Sequence, residues 1–317
     1  MGKVKYYFSD SSFNFEDEQQ FFCKYAKNRL ISYHYHSALK KYIEIYRKLN
    51  GEVIDISEYN ILIDSGAYSI WNSGKPAISV EAYKRFCLEL LLSIADFPFK
   101  SIEFINLDEI PGERNKQVTR DDILYAQEKS LENYLILKNY IPNLLPVFHQ
   151  GDDFKYLDII ESHTLRYCVS PANDKSVSQR LMWIQDVFRK ANSDFKPHGL
   201  GFSSATIAKA NPWASFDAST HALRAGYGVI MYPIDGSLLD IVISDVRGPE
   251  STGSHFKNFS KYEQEKILFN LLQIDDRFTY ENILANGKIR KMINVYNVST
   301  FYDNFATPEN MVQGSLF

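Results

Sequence analysis

Short apolar runs that stop abruptly in polar chemistry recur down this chain, and that recurrence restricts the fold more than any other feature. Ile61-Leu62-Ile63 ends in Asp64-Ser65-Gly66, and the same design returns at Asn106-Leu107-Asp108, His149-Gln150-Gly151, Ser170-Pro171 and Phe216-Asp217. A buried strand that delivers a carboxylate at its C-terminal end, followed by a glycine where backbone must approach something closely, is what the mouth of a parallel barrel needs.

Between the runs lie segments with apolar residues at helical spacing. The pattern predicts strands at 3–8, 30–33, 61–64, 101–107, 144–148, 165–169, 198–202 and 213–216. Helices are predicted at 15–27, 37–49, 79–94, 119–139, 154–161, 176–191 and 204–209. Thr119 with Asp121 and Asp122 in the following turn is a favourable helix start, and Asn50-Gly51 is a stop. Eight such units over roughly 225 residues favour a closed barrel over an open doubly wound sheet. No Gly-x-Gly-x-x-Gly follows the first strand, and Gly199 and Gly201 lack a third glycine at the right spacing, so a dinucleotide site is rejected.

The fold class is therefore α/β, a (β/α)8 TIM barrel over residues 1–228 with a small C-terminal α+β extension over 229–317. In the extension, strands at 229–232 and 240–244 are joined through Asp235-Gly236, and Ser260-Lys261-Tyr262-Glu263 is a capping box opening a helix to about residue 273. The last ten residues read as loose.

Apolar residues make up 45% of the 317, and 21 Tyr with 22 Phe predict a soluble globular protein whose core is rich in rings. A formal charge of −4 excludes a surface coated in positive charge, so contact with nucleic acid requires a local patch. The pairs Lys40-Lys41, Lys84-Arg85, Arg189-Lys190 and Arg290-Lys291 read as solvated helix faces. Three widely spaced cysteines, Cys23, Cys87 and Cys168, suit a reducing cytoplasm and buried free thiols. No signal-like or membrane-spanning run is found, which predicts a cytoplasmic location. His34 and His36 have no third ligand nearby and read as alternate strand-end or loop side chains rather than a metal site.

Strand-end side chains of a barrel converge, so Asp64, Asp108, Gln150, Ser170 and Asp217 are expected to share one pocket. Each acid alone reads as a helix cap or turn former. Together, three carboxylates resemble the acid pair that breaks and remakes glycosidic bonds. A ring such as Tyr68 to stack on, an amide at Gln150 and an acceptor at Asp108 suit a planar heterocycle with the donor and acceptor edge of guanine.

Asp64-Ser65-Gly66-Ala67-Tyr68 resembles the Asp-Ser-Gly-Gly-aromatic motif of tRNA-guanine transglycosylases. Residues 146–151 resemble their strand ending in Gln-Gly, and Phe216-Asp217 their nucleophile strand. His198-Gly199-Leu200-Gly201 and residues 212–220 look closer to the phage-type DNA 7-deazaguanine transglycosylases. The resemblance covers roughly residues 1–245 and implies Asp217 as nucleophile and Asp64 as general acid and base. It also implies base or substrate contacts from Ser65, Tyr68, Asp108, Gln150, Ser170, His198 and Gly199. The partners it implies are DNA and a free 7-deazaguanine base, with no cofactor. The tRNA enzymes carry a zinc site of three clustered cysteines and a histidine after the nucleophile strand. No cysteine follows Cys168 here, so no metal is expected and DNA is favoured over tRNA. The alternatives are a tRNA substrate, a hydrolytic glycosidase on the same acids, and a non-catalytic nucleic-acid-binding barrel.

Overall fold

Pro146 explains how the sheet closes. In the computed structural model, which describes residues 4–9, 16–52, 54–113, 115–172, 174–201, 205–246 and 253–304, the parallel strands are β1 (Lys5–Ser9), β2 (Asn28–Ser32), β3 (Asn60–Asp64), β4 (Ser101–Ile105), β5 (Leu144–Leu145), β6 (Val147–His149), β7 (Cys168–Ser170), β8 (His198–Gly199) and β9 (Ser215–Ala218). Their order is β5-β4-β3-β2-β1-β9-β8-β7-β6. The two ends of that order, β5 and β6, are halves of one strand interrupted by a proline, which has no N–H to give to the ladder. β5 pairs with β4 and β6 with β7, and the Pro146 carbonyl still accepts from the Cys168 N–H at 2.8 Å. Eight strands thus form a closed (β/α)8 barrel.

The helices between strands are α1 (Glu16–Tyr25), α2 (His36–Leu49), α3 (Ala67–Ser73), α4 (Val80–Ser93), α5 (Arg120–Leu137), α6 (Phe154–Glu161), α7 (Val177–Lys190), α8 (Ala205–Ala210) and α9 (Thr220–Gly226). Side-chain oxygens start four of them at N-caps Ser79, Thr119, Asp153 and Ser176, with full capping boxes at Thr119 and Ser176. Their apolar faces pack on the outward residues of the strands, where Phe8, Ile31, Ile61, Ile63, Phe104, Phe148, Val169 and Phe216 form the main core.

Alternation along each strand divides the barrel interior into layers. At the N-terminal end lies a polar layer. Arg166 holds Glu103 through two hydrogen bonds of 2.8 Å, and Lys5 and Ser101 both donate to Asn60 Oδ1. The middle layer is apolar, built from Tyr7, Leu30, Leu62, Ile105, Leu145, Val147 and Cys168. The same parity carried one step further turns Ser9, Ser32, Asp64, His149, Ser170 and Asp217 inward at the C-terminal end.

The C-terminal extension contains the antiparallel pair β10 (Val229–Ile234) and β11 (Ser237–Val242), then α10 (Lys261–Leu272), α11 (Tyr280–Ala285) and α12 (Gly287–Asp303). The strands are longer at the turn than expected, because Asp235 and Gly236 both take positive φ and form a two-residue hairpin that pairs Ile234 directly with Ser237. Helix α12 was not legible in the sequence. Its first half buries Ile289, Met292 and Ile293 in the extension's own core, while Val295, Val298 and Tyr302 join the barrel core, with Tyr302 stacked on Tyr6 at 4.8 Å.

Arg290-Lys291 corrects the reading of that pair as a solvated face, since both residues are buried on α12. Arg290 donates to the Ala225, Ile283 and Leu284 carbonyls at the ends of α9 and α11, where a cation meets the negative ends of two helices. Lys291 lies 3.4 Å from Glu18. Lys40, Lys41, Arg85, Arg189 and Lys190 are exposed. The expected loose tail and the His36 side chain lie outside the described residues.

Asn294 ties the helix to the hairpin. Fully buried, it accepts from the Met231 N–H at 2.6 Å and donates to the His221 and Val229 carbonyls at 3.0 and 3.2 Å. Asn294→Ala leaves these groups in an apolar setting without their partner. Equilibrium urea unfolding is expected to show a loss of about 2–3 kcal/mol. Among the described residues no helix is long and apolar enough to cross a membrane.

Candidate functional site

The inward residues of the top layer open into a cleft of about 1130 Å³ at the C-terminal mouth of the barrel, with Asp64, Asp108 and Asp217 all in its wall. Asp217, on β9, is only 5% exposed. Its Oδ2 accepts from the Ser9 hydroxyl at 2.5 Å and its Oδ1 from the Gly201 N–H at 2.8 Å. Donors from β1 and from the turn after β8 therefore hold the carboxylate in one orientation.

Asp64 ends β3. Its Oδ2 accepts from the Gly66 N–H at 3.0 Å, and the Ser32 hydroxyl also bonds to it. Gly66 sits at φ +74°, and a Cβ there would lie 2.8 Å from Ser32 Oγ and 2.9 Å from the His34 backbone N, so both conformation and space require glycine. Burial, then the charge of Asp108 and more weakly that of Asp217, push the Asp64 carboxyl up to about 7. The site thus contains an acid poised to exchange a proton near neutrality.

Asp108 follows β4 and pairs with His149, whose Nε2 is 2.9 Å from Asp108 Oδ2. Burial opposes the imidazolium, but the bond to Asp108 and the nearby Asp152 charge outweigh it and raise the His149 pKa. Ser65 is fully buried and reaches Asp108 Oδ1 at 3.4 Å, so it stands behind the acid rather than in the cleft wall.

Tyr68, 49% exposed, projects from α3 into the cleft beside Trp71, their centroids 5.9 Å apart and their planes 31° from parallel. The Trp71 indole N–H donates to the Gly112 carbonyl at 2.9 Å and fixes that ring. Gln150 lines the cleft, yet both ends of its amide bond to the β7–α7 side. Its Oε1 accepts from the Ala172 N–H at 3.1 Å and its Nε2 donates to the Gln179 carbonyl at 3.4 Å. Ser170 lines the wall between Gln150 and Pro171, and its carbonyl accepts from the Gln150 N–H at 2.9 Å.

Two further expected substrate contacts also lie outside the cleft wall. His198 and Gly199 are buried members of β8 and do not line the cleft, because the strand's inward position at His198 lies one layer below the mouth. His198 instead sits under Asp217, with Nε2 3.4 Å from its Oδ1. Residues not foreseen are Ser9, Ser32, Tyr35, Trp71, His149 and Gly201. Ser9 and Ser32 were detectable in principle, since each ends an apolar strand as Asp64 does, and Trp71 lies one helical turn beyond Tyr68. Among the described residues no group of three or more His, Cys, Asp or Glu is placed to hold a metal ion. No family model matches the chain, and no curated protein matches it.

Proposed function

We propose that this protein is a DNA guanine transglycosylase, which exchanges a guanine base in DNA for a free 7-deazaguanine such as 7-cyano-7-deazaguanine through an aspartyl-glycosyl intermediate. One observation carries the reading: Asp64 and Asp217 both face into the cleft at one barrel mouth, the first with its carboxyl pushed up to about 7 and the second oriented by two donors. That division of environments is how two carboxylates take different roles in glycosyl transfer.

Asp217 attacks C1′ and forms an ester bond as the C1′–N9 bond breaks. The bonding pair leaves with guanine, and protonated Asp64 gives that base its proton. The incoming deazaguanine then loses its N9 proton to the Asp64 carboxylate, its nitrogen attacks C1′, and Asp217 is released as a carboxylate. Two displacements at one carbon return the original configuration, and no net oxidation or phosphoryl transfer is involved. The Tyr68 and Trp71 rings offer a face for the base, and the Asp108–His149 pair offers an acceptor and a donor for its edge. The DNA substrate is supported by the lack of any cysteine after Cys168, where the tRNA enzymes keep their zinc ligands.

The test is incorporation of radiolabelled 7-cyano-7-deazaguanine by the purified protein into duplex DNA, single-stranded DNA and tRNA. Label is expected in DNA. Label in tRNA alone would replace the DNA reading with the tRNA one, and release of free guanine without label uptake would make the protein a hydrolase.

A further inference from the structure

Beneath Asp217 a polar chain descends through the barrel that the exchange scheme leaves unused. Glu103 holds Arg166 at 2.8 Å through both Nε and Nη2, and Nη2 also donates to Ser215 Oγ at 3.0 Å. Ser215 Oγ is 2.9 Å from His198 Nδ1, and His198 Nε2 is 3.4 Å from Asp217 Oδ1. Ser215 and His198 are both fully buried, and among the described residues His198 Nε2 has no hydrogen-bond partner in the resting geometry other than this long contact.

Proton counting settles the direction of the chain. A guanidinium has five N–H groups and no lone pair, so Ser215 Oγ must accept from Arg166. Its own hydrogen is then free to point at His198 Nδ1. The opposite arrangement, with Nδ1 protonated, would make Ser215 accept twice, leave its buried hydroxyl hydrogen without an acceptor, and aim the Nε2 lone pair at a carboxylate. Burial, with Arg166 adding to it, lowers the His198 pKa against the pull of Asp217, so the ring carries one hydrogen rather than two.

We infer that His198 is a positioning residue for the nucleophile: Arg166 and Ser215 lock it as the Nε2–H tautomer, and it presents that hydrogen to Asp217 Oδ1. Among the described residues Oδ1 accepts from the Gly201 N–H and faces the His198 Nε2–H 3.4 Å away, while Oδ2 accepts from the Ser9 hydroxyl, which can rotate away. In an aspartyl ester the carbonyl oxygen accepts hydrogen bonds well and the alkyl oxygen poorly. Oδ1 is thereby marked as the future carbonyl and Oδ2 as the attacking atom. The tautomer follows from the geometry alone, whereas the assignment of the attacking oxygen rests on the transglycosylase reading.

Two measurements separate these levels. Long-range proton–nitrogen NMR correlation on the full chain labelled with ¹⁵N-histidine, at neutral pH and with His198 identified by its loss in His198→Gln, is expected to show a protonated Nε2 and a bare Nδ1. Ser215→Ala is expected to shift both nitrogens towards the averaged values of a mixed tautomer. A protonated Nδ1 in the wild type, or no response to Ser215→Ala, would overturn the lock. In single-turnover adduct formation with guanine-containing DNA, His198→Phe is expected to lower the maximal rate roughly 100-fold with little change in KM, and His198→Gln, which keeps a donor, to recover most of it. Equal losses in the two variants would overturn the positioning role. If the wild-type protein forms no adduct with DNA or tRNA, the exchange reading fails, while the NMR result still decides the tautomer.

Discussion

Asp217→Asn is expected to abolish the covalent adduct with DNA and to lower base exchange by roughly 10⁴- to 10⁶-fold, the scale seen when an enzyme loses its nucleophile. The substitution is close to isosteric. An amide oxygen at the Oδ1 position still accepts from the Gly201 N–H, and an amide nitrogen at the Oδ2 position can donate to Ser9 Oγ, so the local hydrogen bonds survive with one reversal. What disappears is the negative oxygen that must bond to C1′. Intact-mass analysis of the protein after incubation with DNA, in the absence of incoming base, reads the result directly. A binding module would retain its affinity with no adduct in either form, and persistence of the adduct in the variant would move the nucleophile to Asp64 or Asp108. Thermal unfolding within a few degrees of wild type completes the experiment, because it separates lost chemistry from lost structure.

The barrel was legible because its strands carry a signal that helices around them do not blur. Buried parallel strands are largely apolar on both faces, so residues 61–63 and 144–148 read as nearly continuous runs, and the amphipathic segments between them follow helical spacing. Convergence of Asp64 and Asp217 then followed from fold geometry alone, since both end strands at inward positions. Depth was not legible. Whether a side chain lines the cleft or lies behind one that does depends on the local path and stagger of the strands, and Ser65 and His198 lie buried against Asp108 and Asp217 rather than in the cleft wall. The bonds of the Gln150 amide were hidden for a related reason: its partners, Ala172 and Gln179, come from the segment after the neighbouring strand, and no local pattern announces them.

Four helices were not read from the sequence, α3, α9, α11 and α12, and two of them lack a one-sided pattern. Helix α3 follows Gly66 directly and buries none of its side chains, so residues 67–73 read as loop. Helix α12 is covered along most of its length by the barrel, the hairpin and α1, and a helix buried on nearly all sides loses the apolar stripe that would reveal it. Its charged residues mislead for the same reason: Arg290 and Lys291 look like solvent contacts until the carbonyl ends of α9 and α11 and the carboxylate of Glu18 are found around them.

Asp64→Asn should stabilise the protein while disabling it, and the two effects should depend on pH in ways that can be worked out in advance. The Asp64 carboxyl titrates at about 7 in the folded chain against an ordinary value of 3.8. Below about pH 4 both folded and unfolded states carry the proton and the residue is neutral to stability. Between 4 and 7 the folded state binds a proton that the unfolded state has released, so unfolding free energy falls as pH rises, and above 7 the deficit is constant. A shift of this size corresponds to at most about 4 kcal/mol. The gain from Asn is therefore expected to be under half its maximum at pH 5 and close to its maximum at pH 8, read by denaturant unfolding at the two values. Adduct formation by the wild type needs the protonated acid and should fall about tenfold per pH unit above 7. Discharge of the adduct to the incoming base needs the carboxylate and should fall below 7. A gain from Asn that does not grow between pH 5 and 8, or an adduct rate indifferent to pH across 7, would remove Asp64 from the role of proton carrier and leave the nucleophile without its partner.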